Sequence, residues 1–125
     1  GVEHTFTYGI MPHAPGCTAE IIRQGQLINN PPLPCNGVAA TRGWSLNAQH
    51  CYLSGLRWQG TQVFMRVYEG IGKSETVTVI VPKRFTSYAL ADGLQHPAGM
   101  FKPITGSIEL KLKKFEVRNL LFESV

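Results

Sequence analysis

Short runs with an apolar residue at every second position recur along this chain, and glycine or proline closes them. "ETVTVIVP" sets Val77, Val79 and Val81 against Thr76 and Thr78 until Pro82 ends the run. "TQVFMRVYE" sets Val63, Met65 and Val67 against Phe64, Arg66 and Tyr68. "SIELKL" sets Ile108, Leu110 and Leu112 against Glu109 and Lys111, after which the apolar parity shifts to Phe115 and Val117. Successive side chains of a strand point to opposite faces, so a period of two reads as strands with one buried face. The parity shift predicts a turn or bulge at Lys113–Lys114, because a regular strand cannot change face without one.

"VEHTFTY" reads as a first strand, "TAEIIRQ" as another short one, and Val38–Thr41 as a third. "EGIGKS" reads as the turn of a hairpin joining "TQVFMRVYE" to "ETVTVIVP". The latter is β-prone and nearly uncharged, so it belongs at the centre of a sheet. No long amphipathic helix pattern is present. Phe85, Tyr88 and Ala89 stand at helical spacing ahead of Gly93, which predicts one short helix near 84–92. The expected fold is all-β and mainly antiparallel: a β-sandwich or small barrel with that one helix, as a single β-rich domain over 1–125.

Composition sets bounds on function. Hydrophobic residues make up 43% of the 125 and charged residues 16%, enough for a packed core and against wholesale disorder. The formal charge of +4 favours anionic partners. Nucleic acid is not expected among them, because no Lys/Arg-rich block with interleaved aromatics occurs. No apolar run is long enough for a transmembrane segment. Phosphate-binding loops, dinucleotide fingerprints, zinc-protease helices, nucleophile elbows and CxxC pairs are absent. Asp92 is the single aspartate, and the four histidines and seven glutamates are scattered. No cofactor and no metal site is therefore expected.

Cys17 and Cys35 lie in loop contexts, "PGCT" and "LPCNG", in a segment where five of the eight prolines fall from Pro12 to Pro34. A bond between Cys17 and Cys35 would stabilise that segment by roughly 3 kcal/mol. It implies a secreted or extracellular protein, with the periplasm as alternative and the cytosol if the thiols stay reduced. Cys51 reads as a buried thiol.

The candidate site comes from "WSLNAQHCYLSGLRW", residues 44–58. As one strand it would run about 50 Å, too long for a domain of this size. A break around Asn47–Gln49 and a hairpin turn at Ser54–Gly55 are therefore expected. That register puts Cys51, Leu53, Leu56 and Trp58 on an apolar face. It gathers His50, Tyr52, Arg57 and Gln59 on a polar one, with Trp44 nearby. Tyr52 could stack on a sugar while Arg57 and Gln59 donate to its hydroxyls. The basic set Lys111, Lys113, Lys114 and Arg118 reads as a soluble sheet edge.

The expected function is a secreted, non-enzymatic binding domain for a glycan or a partner protein surface, of effector, adhesin or toxin-binding-subunit type. One alternative is a small ribonuclease-like hydrolase using His50 and Arg57. Another is a structural subunit assembling through sheet edges. The run "SETVTVIVPKRFTSYALADGL" resembles the strand-then-helix segment of fungal fruit-body lectins and cytolysin-like sandwiches. That resemblance implies a sandwich with a helix after the strand, and it carries over no binding residues.

Overall fold

Alternation fixes the architecture where it is cleanest. In β7 (Ser107–Leu112) every second residue is buried, namely Ile108, Leu110 and Leu112, while Ser107, Glu109 and Lys111 are exposed. The computed structural model describes residues 2–31 and 43–124, which fall in two units, Gly1–Gly37 and Val38–Val125. The strands that form lie in the second unit, and the expected strand at 38–41 lies outside the described residues.

In the first unit, residues 2–13 form no regular structure, and Val2, Phe6 and Tyr8 are exposed. The expected first strand is thus not formed. "TAEIIRQ" belongs to a helix, α1 (Thr18–Asn29), and not to a strand. Local pairs explain the outcome. Glu20 receives two hydrogen bonds from Arg23, at 2.8 and 3.0 Å, and one from Gln24 at 2.7 Å. These are the three- and four-residue spacings that a helix brings together.

The second unit is a mainly antiparallel, two-sheet sandwich. Its strands are β1 (Ser45–Asn47), β2 (Cys51–Gln59), β3 (Gln62–Glu69), β4 (Glu75–Ile80), β5 (Phe85–Ala91), β6 (Lys102–Pro103), β7 and β8 (Val117–Ser124). The smaller sheet has the order β1-β4-β7, and the larger one β2-β3-β8-β5-β6. β4 is the central strand of its sheet, as its uncharged, valine-rich sequence predicts. Val77, Val79, Ile108, Leu110 and Leu112 from the smaller sheet pack against Val63, Met65, Val67, Leu120 and Phe122 from the larger. Trp44 fills one side of this core, 4.6 Å from the Phe122 ring and 4.9 Å from that of Phe85. Each fully buried side chain of this core, such as Val67, Leu112 or Phe122, contributes about 1.5–3 kcal/mol.

Three expectations need correction. The segment 84–92 is strand β5, not a helix. The register between β5 and β8 slips between Phe85 and Ser87. That bulge lets Phe85 and Tyr88, three residues apart, both reach the core face, which imitates helical spacing. The lectin-like strand-then-helix resemblance therefore has no counterpart here. Second, β3 and β4 do not form a hairpin; they lie in different sheets. Third, Ser54–Gly55 is not a hairpin turn. β2 runs straight through it beside β3, with a register shift between Leu53 and Gly55.

Glu69, at the end of β3, explains the crossing from one sheet to the other. Its side chain is 2% exposed. Its Oε1 accepts the Ile71 N–H at 2.8 Å, and its Oε2 accepts those of Gly72 and Phe115, each at 2.9 Å. One carboxylate thereby bends the β3–β4 loop and ties it to the β7–β8 turn. That turn sits where the parity shift placed it, closed by Glu116 N–H to Lys113 O at 3.1 Å.

This clamp carries a pH signature. Burial opposes the charge, but backbone N–H donors from Phe115, Ile71, Lys73 and Gly72 outweigh it and hold the Glu69 carboxyl at about 2, below its ordinary 4.5. A depressed folded value stabilises the fold above the unfolded value and loses that effect as pH falls through the folded one. Urea unfolding midpoints should therefore drop between pH 4.5 and about 2. Glu69→Gln should lower the midpoint at neutral pH and flatten that decline; an unchanged pH profile would show that the clamp does not support the fold.

Candidate functional site

The sandwich is open along the side where β7 is the edge of the smaller sheet. There, β7 and the neighbouring strands β5, β6 and β8 line a pocket of about 500 Å³. Alternation on the strands decides what enters it. Tyr88 and Leu90 of β5 lie on the core-facing side, paired with Phe122 and Leu120 of β8, and join Leu110 in an apolar floor. Tyr88 is held there by the Phe122 ring, 6.3 Å away and stacked on it. The β5–β6 loop supplies Gly99 and Met100 as one wall. Lys102 of β6, Lys111 and Glu109 of β7, and Arg118 of β8 bring charge to the same pocket.

These charges differ in how they are held. Arg118 is paired with Glu116 at 2.7 Å. Among the described residues, Lys102 and Lys111 make no hydrogen bond or ion pair through their side chains. Ten of the twelve Lys and Arg residues and six of the eight acidic ones lie within 43–124, so that stretch carries the whole formal charge of +4. Most of its carboxylates are turned to internal use. Glu75 accepts the backbone N–H groups of Gln49 and His50, and Asp92 those of Leu94 and His96. Glu69 is taken up by its clamp, and Glu123 accepts from Gln62 and Ser87. The lysines are left facing solvent.

The residues singled out from 44–58 do not converge. Trp44 packs into the core. The break near Asn47–Gln49 is present, between β1 and β2. His50 falls in it, and its backbone donates to Glu75 at 2.8 Å and accepts from Gly70 at 3.0 Å. Tyr52, Arg57 and Gln59 do share the face away from the core, opposite Tyr68, Phe64 and Gln62. The cause is the bulge at Ser54, which changes parity as a turn would have done. Tyr52 and Arg57 are roughly 15 Å apart along the strand, however, and His50 is farther from Arg57 still. The Tyr52 hydroxyl is buried without a partner among the described residues. The Arg57 guanidinium lies 5.5 Å from the Phe64 ring centre. On that face Phe64, Ala89 and Leu121 are buried, so it is no open platform.

Of the pocket residues, Lys111 and Arg118 are visible in sequence as part of a basic set. Tyr88 and Lys102 are not: the spacing of the first imitates a helix, and no alternation marks the stretch around the second. Trp58, expected in the core with Cys51, is 56% exposed with the Arg84 guanidinium 4.9 Å from its ring centre. No group of three or more His, Cys, Asp or Glu that could hold a metal occurs among the described residues. No helix there is long and apolar enough to cross a membrane. Searches of protein-family models, of curated proteins and of solved structures return no match to this chain.

Of the cysteines, Cys17 is a free, half-buried thiol, while Cys35, the other half of the expected bond, lies outside the described residues. Cys51 is buried, and burial together with a hydrogen bond to Glu75 pushes its thiol up to about 12. A thiolate is the reactive form, so Cys51 is no nucleophile near neutrality. Alkylation followed by mass spectrometry should find Cys51 unmodified in the native protein and modified in urea. Rapid native labelling would contradict its burial.

Proposed function

We propose that the sandwich is a non-enzymatic binding domain that takes an acidic glycan in the pocket beside β7. One arrangement carries the reading: Lys102 and Lys111, without internal partners, border a cavity floored by Tyr88, Leu90 and Leu110. The C–H face of a sugar ring packs on such a floor, while its carboxylate or sulfate takes the ammonium donors. Glu109 offers an acceptor for hydroxyls. A cavity of about 500 Å³ suits a small ligand. Nothing in it favours catalysis, since Glu109 is the sole carboxylate among the lining residues and no histidine lines it. An acidic-glycan ligand goes with a location outside the cell, where Cys17, a free thiol in this structure, would be oxidised to a bond with Cys35.

Calorimetry with a heparin disaccharide and with maltose tests this. The wild type should bind the sulfated sugar and not maltose. Lys102→Glu combined with Lys111→Glu should weaken binding by about 2 kcal/mol or more, about thirtyfold, given the strength of charged hydrogen bonds. Equal affinity in the two proteins would remove the pocket from consideration. For the location, denatured but unreduced protein should titrate one free thiol, whereas three would exclude the Cys17–Cys35 bond.

A further inference from the structure

The β7–β8 turn holds a residue in an unusual state. Phe115 has φ of 56°, in the left-handed region that non-glycine residues seldom occupy, and is nevertheless 70% exposed. Its ring is not loose. The far edge of the ring rests on Gly72 of the β3–β4 loop, where an added Cβ would come within 2.8 Å of it. Gly72 itself has φ of 86°, so a side chain there is excluded twice over. Both loops are fixed from beneath by Glu69, which takes the Gly72 and Phe115 N–H groups on one oxygen. The result is an aromatic ring backed by a glycine and open to solvent.

Lysines flank Gly72 and Phe115 in sequence, on both loops. Lys73 follows Gly72, and Lys113 and Lys114 precede Phe115; all three are exposed and, among the described residues, unpaired through their side chains. The carboxylate in this turn, Glu116, is already engaged by the Lys113 backbone N–H at 2.7 Å and by Arg118. Lys113 lies two residues beyond Lys111 of the pocket, about 7 Å along an extended chain.

We infer that the Phe115 ring and Lys73, Lys113 and Lys114 form a second subsite, continuous with the pocket through Lys111, so that the ligand is an anionic oligosaccharide long enough to cover both. This rests on the pocket reading above and deepens it. A ring seated on glycine stacks against a sugar face; it is not free to swing out as a membrane wedge would. The flanking ammonium groups meet the next acidic group of the polymer.

The test compares a heparin disaccharide with a heparin octasaccharide, binding to wild type and to two variants. Phe115→Gly removes the ring while suiting the left-handed backbone, and Lys113→Gln with Lys114→Gln removes charge without touching the ring. The octasaccharide should bind wild type about tenfold more tightly than the disaccharide, through the added contacts of a tethered second subsite. Each variant should keep the wild-type disaccharide affinity and lose most of that gap, with an unfolding midpoint close to wild type. If the two sugars bind wild type equally, the second subsite is wrong and the pocket stands. If the gap survives in Phe115→Gly, the ring is no subsite and the inference falls. If neither sugar binds, or if phosphatidylserine vesicles bind where sugars do not, both readings fall. If the octasaccharide alone binds and Phe115→Gly abolishes it, the second subsite holds and the pocket reading falls.

Discussion

A single carboxylate decides how the two sheets of this sandwich are joined. Glu69 is buried at the end of β3, where an uncompensated charge would be prohibitive. Backbone N–H groups from two different connections compensate it. In doing so it specifies that the chain leaves the larger sheet at Gly70 and re-enters the smaller one at Glu75. The same contact sets the β7–β8 turn beside that crossing, although 46 residues separate Glu69 from Phe115. Glu75 repeats the device at the start of β4, holding the amides of Gln49 and His50 across the β1–β2 break. The three crossings at this end of the sandwich, β1–β2, β3–β4 and β7–β8, are thus organised by acidic side chains accepting from the main chain.

This use of acid has an electrostatic consequence. The stretch 43–124 contains both signs of charge, but most of its carboxylates are consumed in loops and its lysines are not. A hydrogen-bonded carboxylate keeps its charge, so the net +4 and its positive field stand, and the lysines are the charged groups left free to meet an anion. A pocket edged by Lys102 and Lys111 lies within that field, and so does the turn bearing Lys113 and Lys114.

The all-β, two-sheet character was legible because period-two burial is strict in β4 and β7, where no irregularity intervenes. Two of the errors trace to bulges. At Ser54 an extra residue reverses the facing of everything beyond it, which in sequence looks like a turn. At Thr86 an extra residue turns a spacing of two into three, which looks like a helix. A local pattern cannot distinguish these cases, because the partner strand that defines a bulge is elsewhere in the chain. The same reason hid the pocket. Tyr88, Lys102 and Arg118 meet through the pairing of β5 with β6 and β8, which no local spacing records. In the first unit, alternation over 2–8 had no partner strand to pair with among the described residues, so it stayed irregular.

The central place of β4 bears on how the chain must be made. Thr76–Val81 is β-prone and uncharged, and both of its edges are satisfied only when β1 and β7 are in position. β1 precedes it, but β7 is completed at Leu112, more than thirty residues later in synthesis. Until then one edge of a sticky strand stands open, and only the core beneath it can compete with a neighbouring chain. Truncation or stalled translation before β7 therefore leaves a product prone to self-association, however soluble the finished domain.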